Sequence, residues 1–199
     1  MEKYVITISR QFAAMGRTVA QHLSELLGIE FWDRDIVELA AKRMGQSLSL
    51  VSDSEERANY SLLRHHPEKM SLTSYSISDE IFRTESSIIQ DAASQGSCII
   101  VGRCGDYILR DHPNHLSVYL YAPYEKRLEN CINHLGMSEK EARKQIRDMD
   151  LARRYYQKKY AGEGDSLLAW KDLMIDSSRF GIEGTAKLIA GVVQQTLLK

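Results

Sequence analysis

The feature that most constrains this chain is its opening unit. Tyr4-Val5-Ile6-Thr7-Ile8 is a short β-rich run of the kind that forms a buried parallel strand. A loop, Ser9–Gly16, follows it. Apolar residues at Val19, Ala20, Leu23, Leu26 and Leu27 then recur at helical spacing over Thr18–Leu27, and Gly28 is a natural C-terminal stop. A strand that runs through a tight loop into a helix returns the chain over a sheet face. It therefore asks for a further parallel strand alongside.

Later segments repeat the pattern. Ile29–Trp32 predicts a second strand, and Ile36–Met44 a helix that Asp35 can cap. Gln46–Lys69 is polar and poorly periodic, carries Arg57, Arg64, His65, His66 and Lys69, and reads as mobile helical or loop structure. Ser78–Gln95 is helical in period and stops at Gly96. Cys98-Ile99-Ile100-Val101 is the strongest strand signal and closes at Gly102. A short helix at Tyr107–Leu109, a strand at Leu116–Tyr121 and a helix at Tyr124–Leu135 come next. Ser138 and Glu141 have capping-box spacing and open a long charged helix that runs to about Tyr160, before the break at Gly162–Gly164. Leu173-Met174-Ile175 is a last strand and Ile182–Leu198 a terminal amphipathic helix.

Such alternation specifies an α/β fold: a three-layer parallel sheet of about five strands with helices on both faces. Ligands of such sheets bind beyond the carboxyl ends of the strands. Ser9–Thr18, Asp33-Arg34, Gly102-Arg103, Ala122-Pro123 and Asp176 fall there. Phosphate binding needs convergent backbone N–H groups, a helix N-terminus and a cation. Gly16-Arg17-Thr18 sits where a P-loop has Gly-Lys-Ser/Thr, so the loop reads either as a phosphate cradle or as a plain strand-to-helix turn with an exposed arginine. Arg103 ends a buried strand and is suited to a phosphate or carboxylate, or to an ion pair with Asp33 or Asp106. Arg147, Asp150, Arg153 and Arg154 lie on one charged helix, which alone reads as a solvated face.

Composition excludes other classes. With 26 basic against 27 acidic side chains the chain lacks the basic surplus of a general nucleic-acid binder. Three cysteines, Cys98, Cys104 and Cys131, form no CxxC pair and read as reduced packing residues, which fits a cytoplasmic protein. No apolar run reaches the roughly 20 residues of a membrane span, and the N-terminus has no signal-peptide core. His65-His66 and His112 with His115 lack companions at zinc spacing. Trp32 and Trp170 read as packing residues.

Matching segments run through the whole chain: Ile6-Thr7-Ile8-Ser9-Arg10-Gln11-Phe12, Phe31-Trp32-Asp33-Arg34, Ile100-Val101-Gly102-Arg103-Cys104-Gly105-Asp106-Tyr107-Ile108-Leu109, Ala122-Pro123 with Arg127, Asp150-Leu151-Ala152-Arg153, and Asp176-Ser177-Ser178 with Gly181-Ile182-Glu183. In this order and spacing the sequence resembles the cytidylate kinase-like family, of the P-loop kinase type. The resemblance implies transfer of the γ-phosphoryl group of ATP, with Mg²⁺, to a nucleoside monophosphate such as CMP or dCMP. By position, Ser9, Arg10, Gly16, Arg17 and Thr18 would bind ATP, with Thr18 near the metal. Asp33, Arg34, Arg103, Asp106, Arg127, Asp150 and Arg153 would face the acceptor, and Arg17, Arg147 and Arg153 would act in catalysis. It implies one domain with a core at 1–34, 96–136 and 171–199, an acceptor-binding segment at about 35–95 and a lid at about 137–170. The expected partners are nucleotides, not nucleic acid or membrane, and the expected state is a monomer or weak homodimer.

The loop departs from that family. Where relatives read Gly-Ser-Gly-Gly-Arg, this chain reads Ala13-Ala14-Met15-Gly16-Arg17. Glycine permits positive φ and close backbone approach, and Ala and Met restrict both. Two further readings follow: a non-catalytic nucleotide-binding or regulatory protein, and a kinase for another small molecule.

Overall fold

The computed structural model describes residues 3–49, 51, 72–162 and 170–198, with side chains of 72–76 left aside. In chain order the elements are β1 (Val5–Arg10), α1 (Gly16–Leu27), β2 (Glu30–Trp32), α2 (Arg34–Arg43), α3 (Leu72–Gln95), β3 (Cys98–Val101), α4 (Gly105–Ile108), β4 (His115–Tyr121), α5 (Tyr124–Asn133), α6 (Glu139–Ala161), β5 (Leu173–Asp176) and α7 (Ser177–Thr196). The five strands form one parallel sheet in the order β2-β3-β1-β4-β5. The three-layer parallel α/β architecture is thus as the sequence implies.

Alternation along β1 assigns the two sheet faces. Ile6 and Ile8, with Ile99, Val101, Val118, Leu120 and Ile175, pack against Val19, Ala20 and Leu23 of α1 and Ala186, Ile189 and Val193 of α7. Val5, Cys98 and Ile100 face the other way and pack on Ile36 and Ala40 of α2 and on Ile88, Ile89 and Ala92 of α3. Both faces are covered, which is why these strands read as near-continuous β-branched runs.

Several boundaries differ from the sequence reading. Helix α2 begins at Arg34, so Asp35 lies in its first turn and Asp33 occupies the cap position, without a side-chain capping bond. Helix α3 begins at Leu72 rather than Ser78. The terminal helix starts at Ser177, whose amide region Asp176 caps through Ser178 N–H, and kinks at Gly181, where φ is 66°. The capping box of Ser138 and Glu141 is present at the start of α6. Most of the polar Gln46–Lys69 segment, and all but Gly162 of the Gly162–Gly164 break, lie outside the described residues. Among the described residues no helix is long and apolar enough to cross a membrane.

The chain leaves β1 for the edge at β2, returns to β3, then crosses to β4 on the opposite side of β1. That reversal puts the C-terminal end of β1 between two diverging connections, where parallel sheets hold their ligands.

Candidate active site

The β1–α1 loop emerges at this switch point. Ala13 and Met15 both adopt left-handed backbone, with φ of 59° and 56°. These are the two positions at which the family spelling Gly-Ser-Gly-Gly-Arg places its first and second glycines. The loop therefore keeps a glycine-type conformation with non-glycine residues, at about 1–2 kcal/mol each. Ala13 recovers part of this by packing, with Phe12, against Leu128, Cys131, Ala142 and Ile146.

Helix α1 begins directly after Met15, with no side chain capping it. The first intrahelical bond is Val19 N–H to Met15 C=O, at 3.0 Å. The N–H groups of Gly16, Arg17 and Thr18 thus lie in the first turn, ahead of the helical ladder and at the positive end of the helix dipole. Arg17 is exposed beside them and reaches Asp33 at 3.5 Å. Three uncapped donors, an exposed guanidinium and the Thr18 hydroxyl fit the phosphates and metal of a nucleoside triphosphate.

Arginines crowd this end of the sheet. Arg10 lies over Gly16 and Gly102, where an added Cβ would collide with its side chain. It pairs with Asp33 at 3.5 Å. Burial and then repulsion from Arg153 push Arg10 down to about 9, with Asp33 pulling it back and Arg103 and Arg17 adding repulsion. Burial also lowers Arg153, opposed by Asp150. Arg103, in left-handed backbone at φ 54°, lies 3.4 Å from the wholly buried Glu85 rather than from Asp33 or Asp106.

Arg127 and Asp150 come together as a buried ion pair at 2.5 Å. Arg153 donates to the Arg10 carbonyl at 3.0 Å. Asp106 is buried in an ion pair with Lys171, and Gln157 donates to it at 3.2 Å. Ser9 joins that group, accepting from Lys171 at 3.1 Å. Arg147 stands apart, exposed and paired with Asp148 at 3.0 Å. Arg34 is exposed at the start of α2. So the structure gathers Arg10, Arg17, Asp33, Arg103 and Arg153, and leaves Arg34 and Arg147 outside that group.

A match to the cytidylate kinase-like family extends over residues 5–179. The chain belongs to this family. A cytidylate kinase of Pyrococcus horikoshii is 25% identical over 193 residues, 96% of this chain and 89% of that protein. A cytidylate kinase of Methanopyrus kandleri is 25% identical over 116 residues, 54% of this chain and 60% of that protein. A crystal structure of a protein from Eubacterium ventriosum superposes with a TM-score of 0.71 at 21% identity, covering 96% of this chain and 99% of that one. Shikimate kinase from Bacteroides thetaiotaomicron has the same fold, with a TM-score of 0.55 at 11% identity over 97% of this chain and 99% of that one.

Sequence reasoning missed two members of the buried polar set. Glu85 falls within the helical Ser78–Gln95 run and carries no motif, yet it is fully buried and accepts from Tyr156 of α6 at 2.9 Å. Lys171 carries no motif in the sequence, yet its ammonium is buried against Asp106. The three cysteines are buried and free. Burial pushes the Cys98 thiol up to about 11 and Cys104 up to about 12, which suits packing and not nucleophilic chemistry.

Proposed function

We propose that this protein is an ATP-dependent phosphotransferase acting on a nucleoside monophosphate, with CMP or dCMP as the leading acceptor. One observation carries the reading: Arg10, Arg17, Arg103 and Arg153 gather beside the uncapped N-terminus of α1, where Asp33 pairs with Arg10 and Arg17. A buried cluster of like charge is costly unless an anion joins it. Membership in the cytidylate kinase-like family supports a nucleotide phosphate as that anion.

Bound Mg·ATP supplies the γ-phosphoryl group and a divalent charge. The N–H groups of Gly16, Arg17 and Thr18 would hold its phosphates, and the Thr18 hydroxyl would serve the metal. Arg103, positioned by Glu85, binds the acceptor phosphate. Arg17 and Arg153 neutralise charge as the phosphoryl group moves. Asp33 pairs with both Arg10 and Arg17 and offsets the repulsion between them. No covalent nucleophile is required, since alignment and charge neutralisation supply the rate. The glycine-type geometry of Ala13 and Met15 supports turnover over a role in nucleotide binding alone.

The test is ADP release with Mg·ATP against a panel of nucleoside monophosphates, with products identified by chromatography. Conversion of CMP or dCMP is expected, with Arg17→Ala slowing turnover about a hundredfold and Arg103→Ala raising the acceptor KM. Turnover of a non-nucleotide acceptor alone would redirect the reading to another small-molecule kinase. No ADP release with any monophosphate would end it.

A further inference from the structure

In the family reading, Arg127, Asp150 and Arg153 act on bound nucleotide. Their hydrogen bonds in this chain go elsewhere. Asp150 accepts the Phe12 N–H at 2.7 Å while paired with Arg127. Arg127 donates to the Phe12 carbonyl at 3.3 Å. Asn130, one turn further along α5, donates to the Ala13 carbonyl at 2.9 Å. Ser177, at the start of α7, donates to the Ala14 carbonyl at 2.9 Å. Three successive loop carbonyls, at Phe12, Ala13 and Ala14, are thus each held by a side chain from outside the loop.

In a trans peptide the carbonyl of one residue and the N–H of the next point in opposite directions. Carbonyls pulled outward at Phe12, Ala13 and Ala14 therefore turn the following N–H groups to the other side; of these the Ala14 N–H closes the loop on the Gln11 carbonyl at 3.4 Å. Glycine reaches that arrangement without steric cost, whereas Ala13 and Met15 resist it.

We propose that Asp150, with Arg127 and Asn130, is a positioning clamp that enforces the phosphate-binding conformation of a loop lacking its glycines. The clamp replaces intrinsic backbone freedom with external hydrogen bonds. Asp150 comes from α6, in the segment read as the lid, and Arg127 from α5 of the core, so that segment is joined to the loop backbone and not only to substrate. This rests on the reading of Ala13–Thr18 as a phosphate loop.

A double-mutant comparison in the full chain tests it. Asp150→Asn keeps the shape and one acceptor oxygen but removes the charge facing Arg127. The dissociation constant for Mg·ATP should rise about tenfold, the size of one charged hydrogen bond, with the acceptor KM nearly unchanged. In an Ala13→Gly/Met15→Gly background the same change should cost only about twofold, because glycine no longer needs the clamp. An equal loss in both backgrounds, or a raised acceptor KM with unchanged Mg·ATP binding, overturns the proposal. If Asp150→Asn does not fold, Asn130→Ser should weaken Mg·ATP binding in the same direction, and unchanged binding overturns the clamp. If the wild type binds no Mg·ATP, the phosphate reading fails by itself. The clamp is then decided by Phe12 amide exchange, which should quicken in Asp150→Asn and should be unchanged if no clamp exists.

Discussion

Asp33 lies 3.5 Å from the Arg10 guanidinium, and both side chains are largely buried. Asp33 is at the cap position of α2 yet makes no capping bond, so its carboxylate is committed to the arginines. Replacing it with Asn leaves Arg10 buried among Arg153, Arg103 and Arg17 with its closest counter-charge gone. Asp33→Asn should lower stability by about 2–3 kcal/mol, somewhat less than the loss from breaking a fully buried pair. Inorganic phosphate should then raise the variant's Tm more than the wild type's, because an anion can stand in for the missing carboxylate. Equal gains would show that Asp33 does not hold an anion-seeking cluster.

Met15 is in left-handed backbone at φ 56° and Ala13 at φ 59°. Met15→Gly should raise stability by about 1 kcal/mol, by removing the Cβ clash. Ala13→Gly should be close to neutral, since the relieved strain is offset by lost packing on Leu128 and Ile146. Chemical denaturation checks both, with m unchanged.

The Glu85 carboxylate has no exposed surface and takes one hydrogen bond from Tyr156 on α6 at 2.9 Å. Tyr156→Phe removes the donor and strands a buried acceptor, which costs about 1–3 kcal/mol. It should also loosen Arg103, which pairs with Glu85. A raised acceptor KM beside the stability loss would show this, and a stability loss alone would confine Tyr156 to packing.

His115 shares a 2.7 Å hydrogen bond with Thr7, and burial lowers its pKa from 6.5 despite the Asp172 carboxylate nearby. The folded state therefore takes up its proton less readily than the unfolded chain. This contribution is fully present above about pH 6.5 and is lost as pH falls through the lowered folded value. Wild-type Tm should fall on acidification from pH 7 to 5 more steeply than that of His115→Gln. Parallel profiles would contradict the assignment.

The strands were readable because a strand buried on both faces must be apolar throughout, as in Ile99-Ile100-Val101. The capping box at Ser138 was readable because its two residues are local. Strand order was not, since nothing in β3 names β1 as its partner. Nor were the partners of Arg103 and Asp106. Glu85 and Lys171 reach them from different elements, through contacts that leave no spacing signature in the chain. The loop misled in the opposite sense. Ala13 and Met15 argue against glycine geometry, and side chains from α5, α6 and α7 impose it nonetheless.

The central claim is that Ala13–Thr18 is a working phosphate site without its glycines. Calorimetric titration of the wild-type chain with Mg·ATP tests it most directly, with Arg17→Ala as the control. The account predicts saturable one-site binding that weakens about tenfold or more in Arg17→Ala, as expected for loss of a charged phosphate contact. Absence of binding by the wild type, or equal binding by both proteins, would contradict it.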